Sequence, residues 1–461
     1  MKTLLLCGGI GKRMFPIAED KLLLNFLGRP LLRHQLDKMK EAGLQDLVVV
    51  ANPHNVSQIE RIIREAAGFR ASFVVQEEAL GIANALETAH RFLKGQLLII
   101  NPNDVFETAA LTSLLRSGKR GGSARGGAAG TADRGAAGTA DRGAAAYLVG
   151  YEVKDYFPGG YLVTNSRNEL RRIVEKPPRG EEPSRLVNIL LHLHTEAADL
   201  MKYIARVETE RDDVYECALD LMVREGRRIR VVPYSGFWKA IKYPWHIFGI
   251  TRHFLDHCRP SISPTAQVSP RAVVEGRVII EDGVRVLENA VIRGPAYIGA
   301  KSIIGNNVLV RDYSHIGRNC VVGYSTEVKG SYIGDNCWFH SSYVGDSIID
   351  DNCSLAAGTV LANFRFDERN VRVKVSGQVV DTGLDKFGAI MGAGSKTGIN
   401  ASVMPGVRIG PSSFVGSHVC LMRDLPANKL VMMEPRYRVL DSDIIAADNK
   451  KADLMKKLEK L

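Results

Sequence analysis

Between Ile262 and Val328 the chain places an aliphatic residue at every sixth position. Ile262, Val268, Val274, Ile280, Val286, Ile292, Ile298, Ile304, Val310, Ile316, Val322 and Val328 are all Ile or Val. A packed helix spaces its apolar residues three or four apart, and a half-buried strand alternates them. A period of six fits neither pattern. It predicts a β-solenoid, in which short strands form the flat faces of a prism and one aliphatic side chain per face points inward. The position four later is often small, as at Ala266, Ala290, Ser302 and Cys320. Glycine often follows the aliphatic, as at Gly299, Gly305 and Gly317, which suits a tight corner. After Val328 the ladder loses register. Ile333, Phe339 and Val344 keep it loosely, and Val403, Ile409, Val415 and Leu421 restore it, so about 335 to 397 reads as an interruption.

The first half has a different rhythm. Thr3 to Cys7, Leu47 to Ala51, Ala71 to Val75 and Leu97 to Ile100 are apolar runs of strand length, with an amphipathic segment from Pro30 to Ala42. Strand, helix, strand at this spacing predicts a doubly wound, Rossmann-like α/β domain with its site at the carboxyl ends of the strands. Those ends carry Gly8-Gly9, Gln76 and Asn103-Asp104. Ala146 to Val153, Gly160 to Val163 and Leu186 to Leu193 read as further strands. Residues 121 to 145 contain Gly-Ala-Ala-Gly-Thr-Ala-Asp-Arg twice in tandem and lack bulky apolar residues; a disordered insertion is expected. The expected organisation is an α/β domain over 1–245, a linker over 246–260, a solenoid over 261–430 and a tail over 431–461. Leu454, Met455, Leu458 and Leu461 give that tail helical spacing and suggest an interface helix.

Composition narrows the partners. The 461 residues suffice for two or three full cores, and 45% hydrophobic with 24% charged is ordinary globular usage. The net charge of +10 is scattered, with no Lys or Arg run interleaved with aromatics. Nucleic acid is therefore the weaker reading and phosphorylated small substrates the stronger. Seven dispersed cysteines without a CxxC pair suit a reducing cytoplasm. Cys320, Cys337 and Cys353 are 17 and 16 apart, close to one coil, and are expected to stack inside it as small buried residues. No 18-residue apolar run predicts a membrane span.

Gly8-Gly9-Ile10-Gly11-Lys12-Arg13-Met14-Phe15-Pro16 follows the first strand. Glycines let backbone N–H groups converge on oxygens, and Lys or Arg adds charge, so the run suits phosphate. It has neither the P-loop nor the GxGxxG spacing, and a plain strand-to-helix turn is the alternative. With its neighbours the loop resembles that of the sugar-1-phosphate nucleotidylyltransferases. Their loop lysine matches Lys21, and their base-recognising Gln and Gly-Thr-Ala match Gln76 and Gly81-Ile82-Ala83. Their metal-binding Gly-Asp matches Asn103-Asp104, and their sugar-contacting Glu-Lys-Pro matches Glu175-Lys176-Pro177. The resemblance implies an NTP and a sugar 1-phosphate as substrates. Gly8, Gly9, Gly11, Gln76 and Gly81 would hold the nucleotide; Arg13 and Lys21 would offset phosphate charge. Glu175, Lys176 and Asn188 would hold the sugar, and Asp104 would hold Mg²⁺. Two departures stand out. Leu190 replaces a glycine that lets sugar approach the backbone, and Ala240 replaces the second metal-binding Asp. Lys242 is a candidate substitute charge, and His192, His194 and His246 are candidate ligands, although lone histidines more often pack.

The period-six ladder resembles the hexapeptide repeat of left-handed β-helix acyltransferases. Members acting on an amino-sugar phosphate carry a His, then Ser-Tyr, then Gly-Asp. Here the stretch is His340-Ser341-Ser342-Tyr343-Val344-Gly345-Asp346, and Asn363 follows His340 by 23 residues as their Asn does. Asn363 with the basic residues after it, Arg365, Arg369 and Arg372, is similar to the archaeal-type two-domain enzymes. The resemblance implies acetyl-CoA as co-substrate, His340 as base, Tyr343, Asn363, Arg369 and Arg372 around the sugar phosphate, and a homotrimer. Gly388 to Gly398 would border the acyl-CoA groove. The expected protein is thus a nucleotidylyltransferase joined to an acetyltransferase. Its rivals are a nucleotidylyltransferase on a trimerisation stalk and a non-catalytic sugar-nucleotide sensor.

Overall fold

The structure is a computed structural model that describes residues 1–123, 143–210, 212–442 and 450–460. Most of the low-complexity segment therefore lies outside the described residues. Its flanks belong to the fold: helical backbone runs to Ser123, and Ala144 and Ala145 are buried.

The apolar runs fold as the strands Lys2–Cys7, Asp46–Ala51, Arg70–Val75 and Leu97–Ile100, all parallel. Lys2–Cys7 lies between Asp46–Ala51 and Leu97–Ile100, so the winding reverses at its edge toward Leu97–Ile100. A crevice opens where two successive connections leave a sheet in opposite directions, and ligands bind there. Leu186–His194 continues the sheet antiparallel to Leu97–Ile100. Helices α1 (Leu31–Glu41), α2 (Val56–Glu65), α3 (Gly81–Ala89), α4 (Thr108–Ser123), α5 (Ala197–Ile204) and α6 (Val214–Arg224) accompany the strands. Each face of the sheet carries its own apolar core.

From Ser261 to Val431 the chain winds as a parallel β-helix whose three faces are sheets of 8, 9 and 8 strands. Inward aliphatics stack one above another, as in Ile280 on Ile298 on Ile316. From Ile280 to Val328 the ladder residues are buried, whereas Ile262 at the open end is 52% exposed. The corner chemistry differs from the sequence expectation. The left-handed residue is three after the aliphatic, at Lys301, Asn307, Tyr313 and Asn319, and glycine just after the aliphatic is needed for stacking. A Cβ on Gly299 would lie 2.5 Å from the Gly317 carbonyl carbon of the next coil, and one on Gly317 would lie 2.3 Å from the Gly334 oxygen.

The interruption is also smaller than the sequence suggests. Ile316 pairs with Ile333, and Ile333 with Ile349, so the coil shortens from 18 residues to 17 and 16 while its faces continue. Residues lost at corners break the sequence period without breaking the stack. Cys320, Cys337 and Cys353 line up inside these short coils, fully buried as expected. One true excursion separates Val360–Leu361 from Ile390–Met391, and it holds the hairpin Arg372–Val375 with Gln378–Asp381.

The stretch read as a linker contains helix α7 (His246–His257), which packs between the two halves. One apolar core joins Met14 and Phe26 of the α/β domain, Ile250 of α7, and Tyr332, Val373 and Phe387 of the β-helix. The outer rings of Tyr297, His315 and Tyr332 stack at 4.8 Å spacings, and the Tyr332 hydroxyl donates to the Asn25 carbonyl at 2.8 Å. Helix α8 (Lys450–Leu458) carries exposed Leu454, Met455 and Leu458. Among the described residues no helix is long and apolar enough to cross a membrane.

Candidate functional site

The glycine-rich loop leaves the Lys2–Cys7 strand at the reversal point. Gly11 is left-handed (φ 61°), which turns the chain into the short helical turn Lys12–Met14. A Cβ on Gly11 would touch the Lys21 side chain at 3.4 Å, so the loop closes on its own lysine. Gly8 lies under Gln76, where a Cβ would meet Oε1 at 2.3 Å. Gln76 is buried; its Nε2 donates to the Gly81 carbonyl at 3.2 Å and to Asn84 Oδ1 at 2.8 Å. A cavity of ≈ 290 Å³ lined by Gly8, Gly9, Gln76, Gly81, Asn103 and Leu190 opens beside them. Asn84 was not legible as a site residue, because nothing in its helix marks it before Gln76 turns toward it.

Asp104 opens the strand Asp104–Phe106, which pairs antiparallel with Trp238–Ala240. The carboxylate is 5% exposed. Burial raises its pKa, and the charges of Lys242 and Lys21 with the Leu190 N–H pull it back down. Leu190, the residue in place of glycine, stands at a register shift in its strand, which accounts for its N–H facing the site. Lys242 is itself pushed down by burial, with Asp104 opposing that; its Nζ donates to the Pro158 carbonyl at 2.5 Å. Burial also lowers Lys21, and Arg13 lowers it further by like charge. Arg13 stays on the surface, its guanidinium 5.7 Å from the Tyr243 ring centre. Two lysines thus flank one buried carboxylate, with Arg13 close enough to act on both of them.

The second wall carries the sugar candidates. Glu175 and Lys176 pair at 3.0 Å. A Cβ on Gly160 would approach Glu175 Oε2 at 2.9 Å and Asn188 Cβ at 3.6 Å, so these groups converge. Glu175, Lys176, Gly81, Asp212 and Glu216 line a recess of ≈ 190 Å³. Asp212 and Glu216 come from the start of α6 and its approach, far from any motif in sequence. Burial, then the Glu175 carboxylate, raises Glu216 to about 7.

The three histidines bond protein groups. His192 Nε2 donates to Asn188 Oδ1 at 2.7 Å, and the Tyr215 hydroxyl donates to His192 Nδ1 at 2.7 Å. His194 Nε2 donates in turn to the Tyr215 oxygen at 2.9 Å. Both rings are fully buried, and burial lowers their pKa, so they form a neutral relay that orients Asn188. Burial likewise lowers His246, to about 3; its Nδ1 bonds the Ala240 carbonyl at 2.7 Å.

In the β-helix, His340 is exposed at a corner and its carbonyl accepts from Ser342 Oγ at 2.9 Å. Asn363 Nδ2 donates to Asp346 at 2.5 Å, and Lys329 pairs with the same oxygen at 2.5 Å. The space over Gly345 is shared, since a Cβ there would meet Asn363 Nδ2 and the Tyr343 hydroxyl at 2.7 Å each. Burial raises Tyr343. Arg365 is taken by Asp367 at 2.5 Å, whereas Arg369 and Arg372 are exposed. Gly388 packs against Ser347 and Gly392 against Pro16.

A buried carboxylate flanked by two lysines, beside a glycine loop at a winding reversal, defines a site for nucleotide phosphates. The chain belongs to the nucleotidyl transferase family, whose pattern matches residues 2–241. The similarity extends into the β-helix. A bifunctional protein GlmU of Methanococcus maripaludis is 30% identical over 94% of this chain and 97% of its own length. A bifunctional sugar-1-phosphate nucleotidylyltransferase/acetyltransferase of Sulfurisphaera tokodaii is 29% identical over 92% of this chain and 98% of its own. A solved UDP-glucose pyrophosphorylase bound to UDP-glucose covers 56% of this chain and 99% of its own, at 16% identity and a TM-score of 0.46.

Proposed function

We propose that the chain joins a sugar 1-phosphate to an NTP, releasing pyrophosphate, and acetylates an amino-sugar 1-phosphate in its β-helix. The observation carrying the first activity is the convergence of Lys21 and Lys242 on the strand-end Asp104, with Arg13 beside the two lysines and Gly8 and Gln76 next to them. A sugar-phosphate oxygen attacks the α-phosphorus, and the bond to the β-phosphate breaks. Such in-line transfer needs positioning and charge neutralisation more than covalent help. Gly8, Gly9 and Gly11 present backbone N–H groups, and Arg13 and Lys21 take up charge on the leaving pyrophosphate. Gln76, with Gly81 and Asn84, faces the base; Glu175, Lys176 and Asn188 orient the sugar.

Among the described residues no group of three or more His, Cys, Asp or Glu is arranged for a metal. Mg²⁺ asks less, because one or two carboxylates plus substrate phosphates and water complete its shell. Asp104 supplies the carboxylate, and the buried Asn103 Oδ1 lacks a hydrogen-bond partner, so the strand end fits one such ion. Bound there, Mg²⁺ supplies charge to the phosphate oxygens.

The second activity rests on the Tyr343, Asp346 and Asn363 cluster. An amine attacks the thioester carbonyl of acetyl-CoA, His340 takes the amine proton, and the thiol of CoA leaves. Arg369 and Arg372, both exposed, would take the sugar's phosphate. We read the assembly as a homotrimer in the cytoplasm, with light scattering expected near three times 50.6 kDa. The free state of all seven cysteines supports that compartment. The stalk reading is favoured by one observation, the exposure of the His340 ring. Incubation with each NTP and glucose 1-phosphate or glucosamine 1-phosphate, with and without acetyl-CoA, tests both activities. Absence of pyrophosphate with every NTP sinks the first, and absence of thiol release reduces the β-helix to a stalk.

A further inference from the structure

The phosphate loop is held from two sides. On its own domain, Asp20 accepts from the Leu22 N–H at 2.9 Å and from Asn55 Nδ2 at 2.7 Å. On the other side, three points of the β-helix touch the run from Phe15 to Ala18 in succession. The Arg408 guanidinium lies 5.5 Å from the Phe15 ring centre. Gly392 passes so close to Pro16 that a Cβ would sit 2.7 Å from its carbonyl oxygen. Asp350 lines one cavity with Ala18 and Glu19 of the loop. Between the two anchors a cavity of ≈ 540 Å³ is lined by Gly9, Gly11 and Lys21 of the loop and by Asp350 and Asn352 of the β-helix.

We propose that Asp350 is a positioning residue for nucleotidyl transfer, holding the loop at Ala18 from across the domain boundary so that Lys21 is presented to the phosphates. This rests on the nucleotidyl reading above. Asp350 is 7% exposed; Oδ1 accepts from the Asp351 N–H at 3.0 Å, and Oδ2 is buried without a hydrogen bond. A buried carboxylate left half-unsatisfied costs stability. The neighbouring carboxylates of Glu19 and Asp351 add repulsion. Its bond inside the β-helix is to the adjacent Asp351 N–H, and the coil itself stacks through backbone bonds on either side, Ile348 to Ala389 and Asp350 to Met391. What it faces is the loop. Lys21 is three residues beyond Ala18 and adjacent to Asp20, so the two anchors bracket the short span that sets its reach. A small displacement of a group that contacts phosphate is enough to slow transfer.

Asp350→Ala removes the acceptor; Asp350→Asn keeps a carbonyl oxygen in nearly the same place. The expected result for Asp350→Ala is a KM for NTP raised about tenfold or more, faster tryptic cleavage after Lys12 and Arg13, an unchanged acetyl-transfer rate and a melting temperature no lower than wild type. Asp350→Asn should restore KM and protease resistance to near wild type. Wild-type KM and cleavage in Asp350→Ala overturns the proposal, as does a parallel loss of both activities and of melting temperature. If the wild-type chain releases no pyrophosphate, the nucleotidyl reading falls and the catalytic role with it. The tryptic comparison then still separates a held loop from a free one.

Discussion

Ala240 lies directly opposite Asp104 in the antiparallel pair of Trp238–Ala240 with Asp104–Phe106. Side chains of directly opposed residues are near neighbours, so a carboxylate at 240 would stand beside Asp104. This chain instead places a methyl there and an ammonium, Lys242, two residues on. The site therefore holds a single acid, and the Lys242 charge offsets it.

That arrangement makes a pH prediction. Lys242 lowers the Asp104 pKa against the burial that raises it. Lys242→Met keeps an apolar stem over the Phe157 ring but deletes the charge, so Asp104 must ionise at higher pH. The acid limb of kcat/KM for pyrophosphate release should move to higher pH. Asp104→Ala should lower the same rate on the order of 10²-fold or more, with acetyl transfer intact. An unmoved acid limb in Lys242→Met would show that Asp104 is not the group that titrates.

His340→Ala should reduce acetyl transfer roughly a hundredfold, the scale of a lost general base. Pyrophosphate release and the melting curve should not change, because the His340 ring is exposed and the inward ladder beside it is untouched. Thiol release from acetyl-CoA measured alongside the melting curve distinguishes this from a packing role. A stable mutant with full acetylation rate removes His340 from the chemistry.

Glu216 gives a stability prediction. Its carboxyl is raised from 4.5 to about 7 in the folded chain, chiefly by burial and then by Glu175. Between those values the folded state binds more protons than the unfolded state, so stability falls as pH rises through that window. Glu216→Gln removes the ionisation, and its melting temperature should exceed that of wild type at pH 8 while matching it near pH 4. Parallel melting-temperature curves for the two proteins would contradict the assignment.

Phe387 is fully buried, with ring centres 6.3 Å from Trp245 and 5.7 Å from Phe248, at the junction of α7 and the β-helix. Phe387→Ala should cost about 3–5 kcal/mol. Because one core spans the junction, nucleotidyl activity should be lost on heating at the same temperature as acetyl transfer. Two well-separated inactivation temperatures in the variant would mean that the domains unfold independently.

The sequence by itself determined both architectures. A period of six on Ile and Val can bury one side chain per step only in a solenoid, and apolar runs separated by helical spacing can pair only as a wound sheet. Gly8, Gln76 and Asp104 were legible because strand ends in such a sheet must converge. The shortening of the coils at Ile333 and Ile349 was not legible as continuity, because sequence registers a lost corner residue as a lost period, while hydrogen bonding registers only that strands still meet. Tertiary structure alone decided the rest. It turned His192 and His194 from candidate ligands into a buried relay to Asn188. It brought Glu216 to Glu175, and it set Asp350 beside Ala18 across more than three hundred residues of chain. These relationships depend on distance in space and on desolvation, and neither is encoded in the local pattern of any segment.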